Sequence, residues 1–261
     1  MGKTSNPIAK KAFAPFQIRG GKQRLPAADV IRTSVFGETV FFSIGTPRDF
    51  IQKNYHFKGV FYEMEELEII RRAFQPGGRF IDIGANVGNH ALFVAKFLSP
   101  SEVVVVEPNP VAYNVLFSNV LLNQLDDVFD MNWIGYGISD DPNATFGMAF
   151  RKGNVGAGRM VAGSGDITTV RVDDVVGDRH ADFIKIDVEG MEMQVLNSME
   201  ATIERCRPRI FVEVDENNRA AFEAWVEVSD YTSVQRFKRY PENENHLLVH
   251  DGDENWVLAT S

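Results

Sequence analysis

Two short stretches carry residue types and spacings suited to binding a nucleoside. The first is Asp82-Ile83-Gly84-Ala85-Asn86-Val87-Gly88-Asn89-His90, and the second is Glu107-Pro108-Asn109. Gly84 and Gly88 let the backbone turn tightly and approach a bound molecule without a Cβ in the way. Glu107 follows an apolar run, 23 residues after Gly84 (107 − 84). A carboxylate there suits a ribose diol, since it accepts two hydroxyl hydrogen bonds of about 1.5–3 kcal/mol each. A nicotinamide dinucleotide and S-adenosylmethionine both present such a diol. The first turn separates them. A dinucleotide fingerprint is G-x-G-x-x-G, with the pyrophosphate on a helix N-terminus. Here the glycines are spaced G-x-x-x-G, and Asp82 immediately precedes the turn. A carboxylate so placed repels a pyrophosphate but tolerates a sulfonium and the ammonium of a methionine moiety. S-adenosylmethionine fits better.

These residues need strands and turns to position them. Phe80–Ile83 reads as a short apolar strand, the glycine turn follows it, and a helix runs from about Asn89 to Leu98. Val103–Val106 is an apolar run expected of a strand covered on both faces. A helix over Asn109–Asn123 carries Pro110 in its first turn, and Val128–Ile138 contains a third strand. Upstream, Thr39–Ile44 is strand-like, and Glu63–Phe74 places Met64, Leu67, Ile70 and Phe74 on one helical face. Thr145–Phe150 and Ile167–Val172 are strand-like around a Gly-rich loop, so an antiparallel hairpin or flap, with the loop Lys152–Asp166, is expected within the fold. The alternation resumes with strand Asp182–Asp187, helix Met191–Met199, strand Arg209–Val214 and helix Asn217–Ser229. Two strands close the chain near Thr232–Phe237 and His246–His250. Successive β-α units predict a mainly parallel sheet with helices on both faces, and ligands gather at the carboxyl ends of such strands.

The chain has 261 residues, 44% hydrophobic and 24% charged, which excludes global disorder and low-complexity classes. Its apolar runs are too short to span a bilayer, and residues 1–20 lack the apolar core of a secretory leader, so a cytoplasmic protein is expected. Cys206 is the one cysteine, which rules out an intramolecular disulfide and a multi-cysteine zinc site. The net charge of −9 argues against nucleic-acid binding over the whole surface, leaving room for a local basic patch, and no nucleic-acid partner is expected. That charge is uneven: Lys3, Lys10, Lys11, Arg19, Lys22, Arg24 and Arg32 face Asp29 alone in residues 1–35. The expected organisation is a basic arm over 1–38, partly disordered, and a catalytic domain over 39–261.

FIDIGANVGNH, VVVVEPNP, a helix bearing Asn114, Asn119 and Asn123, and FIKIDVEGMEMQVL together resemble the FkbM family of S-adenosylmethionine-dependent methyltransferases. The resemblance runs from about Val40 to Val249 and includes Tyr62-Glu63 and Asn154-Val155-Gly156. It implies an α/β fold of the class I, Rossmann-like type: a seven-stranded mainly parallel sheet with its last strand antiparallel, plus the inserted hairpin. It also implies methyl transfer to a hydroxyl on a sugar, glycan or other small molecule. By motif, Asp82, Gly84, Ala85, Asn86 and Gly88 would line the methionine end of the cofactor. Glu107, with Pro108 and Asn109, would hold the ribose, and Ser139 and Asp140 would meet the adenine.

Asp187 and Glu189 follow the fourth strand, where acids can orient an acceptor, take its proton or bind a divalent ion. Glu189 could instead cap the next helix. Glu213 ends the fifth strand and may face the acceptor in the same way, while His90 lies at the first turn of the helix after the glycines. The expected catalytic set is Asp187, Glu189, His90 and Glu213, with Asp187 or His90 as base. His56, His180, His246 and His250, with Asn123 and Trp133, are read as surface or packing residues. No multi-ligand spacing demands a metal, and none is assigned. An NAD-linked oxidoreductase and a catalytically silent cofactor-binding module are the alternatives. The second would be expected to have lost Asp82, Glu107 or the acids after the fourth strand.

Overall fold

The computed structural model describes residues 29–141, 144–151, 154–163, 165, 167–253 and 256, with the main chain alone described at 150, 151, 154–159 and 162. Lys3, Lys10, Lys11, Arg19, Lys22 and Arg24 of the expected arm, Lys152 and Asp166 lie outside the described residues, as do the side chains of Arg151 and Arg159.

A hairpin of β1 (Asp29–Val35) and β2 (Glu38–Ile44) leads into α1 (Phe50–Asn54) and α2 (Met64–Ala73). Next come β3 (Arg79–Ile83), α3 (Asn89–Phe97), β4 (Glu102–Glu107), α4 (Pro110–Leu122) and β5 (Phe129–Ile134). Four short strands interrupt the alternation: β6 (Tyr136–Ile138), β7 (Phe146–Arg151), β8 (Asn154–Ala162) and β9 (Thr168–Val170). It resumes with α5 (Val172–Val176), β10 (Phe183–Ile186), α6 (Glu192–Asn197), α7 (Glu200–Cys206) and β11 (Arg209–Asp215). The last elements are α8 (Arg219–Val228), β12 (Tyr231–Phe237) and β13 (Asn243–His250).

The central sheet has seven strands in the order β12-β13-β11-β10-β3-β4-β5. Its inner pairs are parallel, and β13 runs antiparallel to both β11 and β12. This is the expected architecture. Period-two alternation feeds two cores. Phe80, Val103, Val105, Phe183 and Phe211 join one, under β2, α2, α3 and α4; Ile81, Ile83, Val104, Val106, Ile184 and Val212 join the other. Phe80 and Phe183 are register partners in adjacent strands and stack with centroids 5.5 Å apart.

Several expectations change in detail. The third strand breaks at Gly135, whose φ is 85°, and β6 leaves the sheet to pair in parallel with β9. Within the Gly-rich stretch Asn154–Ala162 forms β8, antiparallel to β7, and of the strand expected from Ile167, Ile167 bridges Phe146 while Thr168–Val170 pair with β6 as β9. Glycine content argued for a loop, but a strand needs a partner for its backbone groups, and β7 supplies one. The single helix expected over Met191–Met199 stops at Asn197, and α7 begins at Glu200. The boundary drawn at residue 38 falls on the first residue of β2, and β1, on the arm side of it, pairs with β2 along its whole length.

The hairpin is fastened to the sheet layer by two asparagines one helical turn apart. Asn123 Oδ1 accepts from Phe41 N (3.0 Å) and its Nδ2 donates to Phe41 O (2.7 Å). Asn119 Oδ1 accepts from Ser43 N (2.7 Å), and its Nδ2 donates to Val87 O (2.8 Å) behind the glycine turn. Asn123 is therefore structural, as expected. Asn123→Ala would strand the N–H and C=O of Phe41, at a cost of about 2–4 kcal/mol in urea unfolding. A loss under about 0.5 kcal/mol would show that α4 does not hold the hairpin.

Candidate active site

The carboxyl ends of β3, β4 and β10 meet at the glycine turn. The β3–β10 register pairs Asp82 with Lys185 and Ile83 with Ile186, so Gly84 comes beside Asp187. Asp187 N donates to Ile83 O at 3.0 Å, and a Cβ on Gly84 would lie 1.8 Å from Asp187 O. With φ at 79°, position 84 demands glycine on both counts. Gly88, also at positive φ, opens α3, and a Cβ there would press on Leu116 at 3.0 Å.

Glu107 is fixed by its neighbours' backbone. Its Oε2 accepts from Asn86 N and its Oε1 from Asn109 N, each at 2.7 Å. A carboxylate has about four acceptor sites, so one lone pair per oxygen stays available. Burial pushes the Glu107 carboxyl up to about 7, against the pull of the two N–H donors. The Asn86 side-chain oxygen is buried with no hydrogen-bond partner, and Asn86 itself sits at φ 51°.

Beside these groups opens a cleft of roughly 660 Å³, part of it open to solvent. Gly84, Asn86, Glu107, Pro108, Asp187 and Glu189 line it, all expected site residues. Asp82, Ala85, Gly88 and Asn109 stand behind as framework: Asp82 and Ala85 are buried, and Asn109 caps α4 by accepting from Val111 N. Ser139 and Asp140 fall just beyond the wall, which Gly137 and Ile138 make instead, because the strand break at Gly135 shifts the turn. Ser139 is turned into its own turn, its Oγ accepting from Asp141 N at 3.1 Å. Ile83, Val106, Val188, Met160 of β8 and Met191 supply the apolar part of the lining. The N-cap of α6 is Met191, which makes no side-chain cap bond; Glu192, the first residue of the helix, accepts from Gly190 N and Asp215 N outside it.

Behind the cleft, one sheet face carries charge. Lys185 is buried; its Nζ lies 3.1 Å from Asp82 Oδ1 and 3.4 Å from Asp187 Oδ2, and donates to Gly84 O at 3.2 Å. Burial pulls the ammonium down, but Asp82 and Asp187 outweigh it and hold Lys185 above its ordinary value. Asp82, fully buried, is pushed up by burial. It faces one ammonium, close but not in hydrogen-bond alignment with either carboxylate oxygen.

One residue past the last β10–β11 pair, Ile186↔Val212, come Asp187 and Glu213. Glu213 is driven far upward by burial and then by Asp187, Glu63 and Glu189. Glu63, the N-cap of α2, is pushed up to about 8 by burial and by Asp187 and Glu66. His90 does not line the cleft. Its Nε2 lies 3.6 Å from Glu63 Oε2, and burial with Lys185 nearby keeps the ring well below its usual value. His56 is likewise internal, stacked on Phe42 and bonded to Asn89 at 3.1 Å.

Glu63 and Lys185 were missed as site residues. A lysine inside the apolar run Phe183–Ile186 was the available signal; Glu63 entered only with Tyr62, as the helix entry within the family resemblance. Among the described residues no group of three His, Cys, Asp or Glu is arranged to hold a metal ion.

The family described as the methyltransferase FkbM domain matches residues 82–239, more than half of the chain. No curated protein matches the sequence as a relative. Similar solved structures include an rRNA methylase from Streptococcus thermophilus, at 10% identity over 72% of this chain and 94% of that one, with a TM-score of 0.47. The M. jannaschii TYW2 protein in complex with AdoMet is 14% identical, over 87% of each chain, with a TM-score of 0.43. The Pyrococcus abyssi tRNA (uracil-54, C5)-methyltransferase in complex with S-adenosyl-L-homocysteine is 17% identical over 84% of this chain and 43% of that one, TM-score 0.49. At these identities and scores, the substrates in the names belong to those proteins.

If the Asp82–Lys185 pair is what the site is built on, Lys185→Met should cost about 3–5 kcal/mol by leaving a buried carboxylate uncompensated. Adding Asp82→Asn should restore part of that in chemical denaturation. Simple additivity of the two losses would show the groups to be uncoupled.

Proposed function

The chain belongs to the methyltransferase FkbM domain family, and from that premise we propose that it transfers a methyl group from S-adenosylmethionine to a hydroxyl of a sugar, glycan or other small molecule. The observation that carries the cofactor reading is Glu107, whose two oxygens are each aimed by one backbone N–H and each keep a lone pair beside the cleft. That arrangement fits a ribose diol, and the unpartnered Asn86 oxygen fits a donor on the same ligand. The bound group would supply an activated methyl on a sulfonium.

The chain's own residues then have two tasks. Gly84 and Asn86 hold the methionine end close to the β3 turn, with Asp82 and Lys185 fixing that turn from behind. Asp187 and Glu189 border the cleft where the acceptor would approach, and Glu213 stands next to Asp187 on the neighbouring strand. Alignment of acceptor oxygen, methyl carbon and sulfur does most of the catalysis. A base among these acids adds about 10²–10⁴-fold. Asp187-Val188-Glu189-Gly190 occupies the place where amine-directed nucleic-acid methyltransferases carry an N-P-P-Y-like loop, and its carboxylates would repel phosphates. This supports a small-molecule or glycan acceptor over a nucleic acid. Among the described residues no helix is long and apolar enough to cross a membrane. A cytoplasmic setting is part of this reading, supported by the unpaired, buried Cys206.

Calorimetric titration of S-adenosylmethionine, S-adenosylhomocysteine and NAD tests the assignment. The first two should bind the native protein and NAD should not. Glu107→Ala should weaken S-adenosylmethionine by roughly 10²–10⁴-fold, the loss of two charged hydrogen bonds. Tight NAD binding with no S-adenosylmethionine binding would overturn the proposal.

A further inference from the structure

The donor cleft has a neighbour. A second cleft of roughly 700 Å³, open to solvent, shares Met160, Glu189 and Met191 with it as walls. Met160 comes from β8 of the inserted hairpin, whereas Glu189 and Met191 come from the turn after β10. These three residues form the neck between the clefts. Gly137 makes room for the methionine there, since a Cβ at that position would lie 2.3 Å from Met160 Cε. A molecule seated in the second cleft therefore meets the donor side past Glu189.

The other wall of the second cleft is the turn between β11 and α8. Asp215 ends β11, and its Oδ1 accepts from Asn217 N at 2.8 Å and from Asn217 Nδ2 at 2.7 Å. Asn218 Nδ2 donates to Gly190 O at 3.0 Å and to Glu192 Oε2, which ties this turn to the one after β10. These bonds bias what is left to meet a ligand. A carboxamide has two N–H donors. Asn218 spends both inside the protein and Asn217 spends one. Asp215 Oδ2, Asn217 Oδ1 and Asn218 Oδ1 face no donor among the described residues, and Glu189 adds a second carboxylate to the lining. Among the described residues no lysine, arginine or histidine lines this cleft. Met160, Val161 and Met191 supply its apolar part.

Resting on the methyl-transfer reading above and deepening it, we propose that the second cleft seats the acceptor, and that it takes a polyhydroxy ring bearing hydroxyl or ammonium donors and no anionic substituent. Side-chain oxygens accept from hydroxyls and attract an ammonium. A carboxylate or phosphate finds no cation to pair with there, is repelled by Asp215 and Glu189, and loses water without compensation. The C–H face of a sugar ring suits the two methionines and Val161, whose soft side chains adapt to an irregular apolar surface. Asp215 and Asn217 are the specificity-determining residues, and neither lines the donor cleft.

Saturation-transfer difference NMR on the full chain loaded with S-adenosylhomocysteine tests this. The probes are glucosamine, methyl glucoside and glucuronate, with the corresponding galactose and mannose sets to cover ring stereochemistry. In at least one set the amino sugar and the neutral sugar should bind, and the uronate should bind about 5-fold more weakly or not at all. Asn217→Lys keeps the backbone N–H that Asp215 holds and puts an ammonium in the cleft. It should reverse that order, admitting the uronate and weakening the amino sugar by about 5-fold. Asp215→Asn keeps an oxygen for the Asn217 bonds; it should weaken the amino sugar alone. Both variants should bind S-adenosylhomocysteine as the native chain does. Native binding of no sugar, a uronate bound as well as its neutral counterpart, or an order unchanged in Asn217→Lys would overturn the assignment. Loss of S-adenosylhomocysteine from both variants would show that the clefts are not separate, and would overturn it too. Failure of the native chain to bind S-adenosylhomocysteine would instead overturn the cofactor reading.

Discussion

The site depends on one ion pair placed by parallel register. Asp82 and Lys185 are cross-strand partners on the same face of β3 and β10, buried among phenylalanines. A carboxylate alone there would be costly, and an ammonium alone equally so. Together they become a rigid strut, and the lysine extends it by reaching Gly84 O and Asp187. The donor turn and the acceptor-side acid are thereby tied to one ammonium. The close contact of the Gly84 backbone with Asp187 O removes the remaining freedom between the two strand ends. Charge balance is the constraint that follows. With Lys185 spoken for, Glu63 and Glu213 stay above the usual carboxylate range, chiefly through burial.

Much of this was legible in the sequence. The four consecutive valines of β4 announced a strand covered on both faces, and alternation of β and α predicted the parallel sheet. Asp82, the two glycines and Glu107 sit at turns whose chemistry is set locally, within a few residues, and the structure brings Gly84, Asn86 and Glu107 to one cleft. What escaped depends on contacts between segments distant in the chain. Glu63 sits between Tyr62, held by Asn89 from α3, and Glu65 and Glu66, paired with Arg239 from the turn between β12 and β13. Lys185 is meaningful only once its register with Asp82 is known. Ser139 and Asp140 follow from the family resemblance, with the end of the third strand open between Ile134 and Ile138; Gly135 ends it at Ile134 and puts Gly137 and Ile138 at the wall. The Gly-rich flap misled in the opposite direction, since glycine content masked a strand whose partner was nearby.

The layer over the charged face is assembled by polar side chains as well as by packing. Asn89 holds Tyr62 by both backbone groups, and His56 stacks on Phe42 while bonding to Asn89. The buried Asn89 carboxamide, bonded at both its oxygen and its nitrogen, and the buried His56 ring fix distances between elements that apolar contacts alone would leave loose. They explain why a short motif ending in Asn-His organises a region well upstream of itself.

The same device on β2 has a consequence for association. A two-stranded hairpin normally exposes a line of unpaired N–H and C=O groups that another strand can pair with. Along the side of β2 away from β1, the N–H and C=O of Phe41 and the N–H of Ser43 are taken by Asn123 and Asn119. An α-helix thus supplies, through two side chains, the hydrogen bonds a neighbouring strand would make. At those positions β2 has no template left to offer a second chain, and that edge is shielded against edge-to-edge pairing by side-chain hydrogen bonds from a helix.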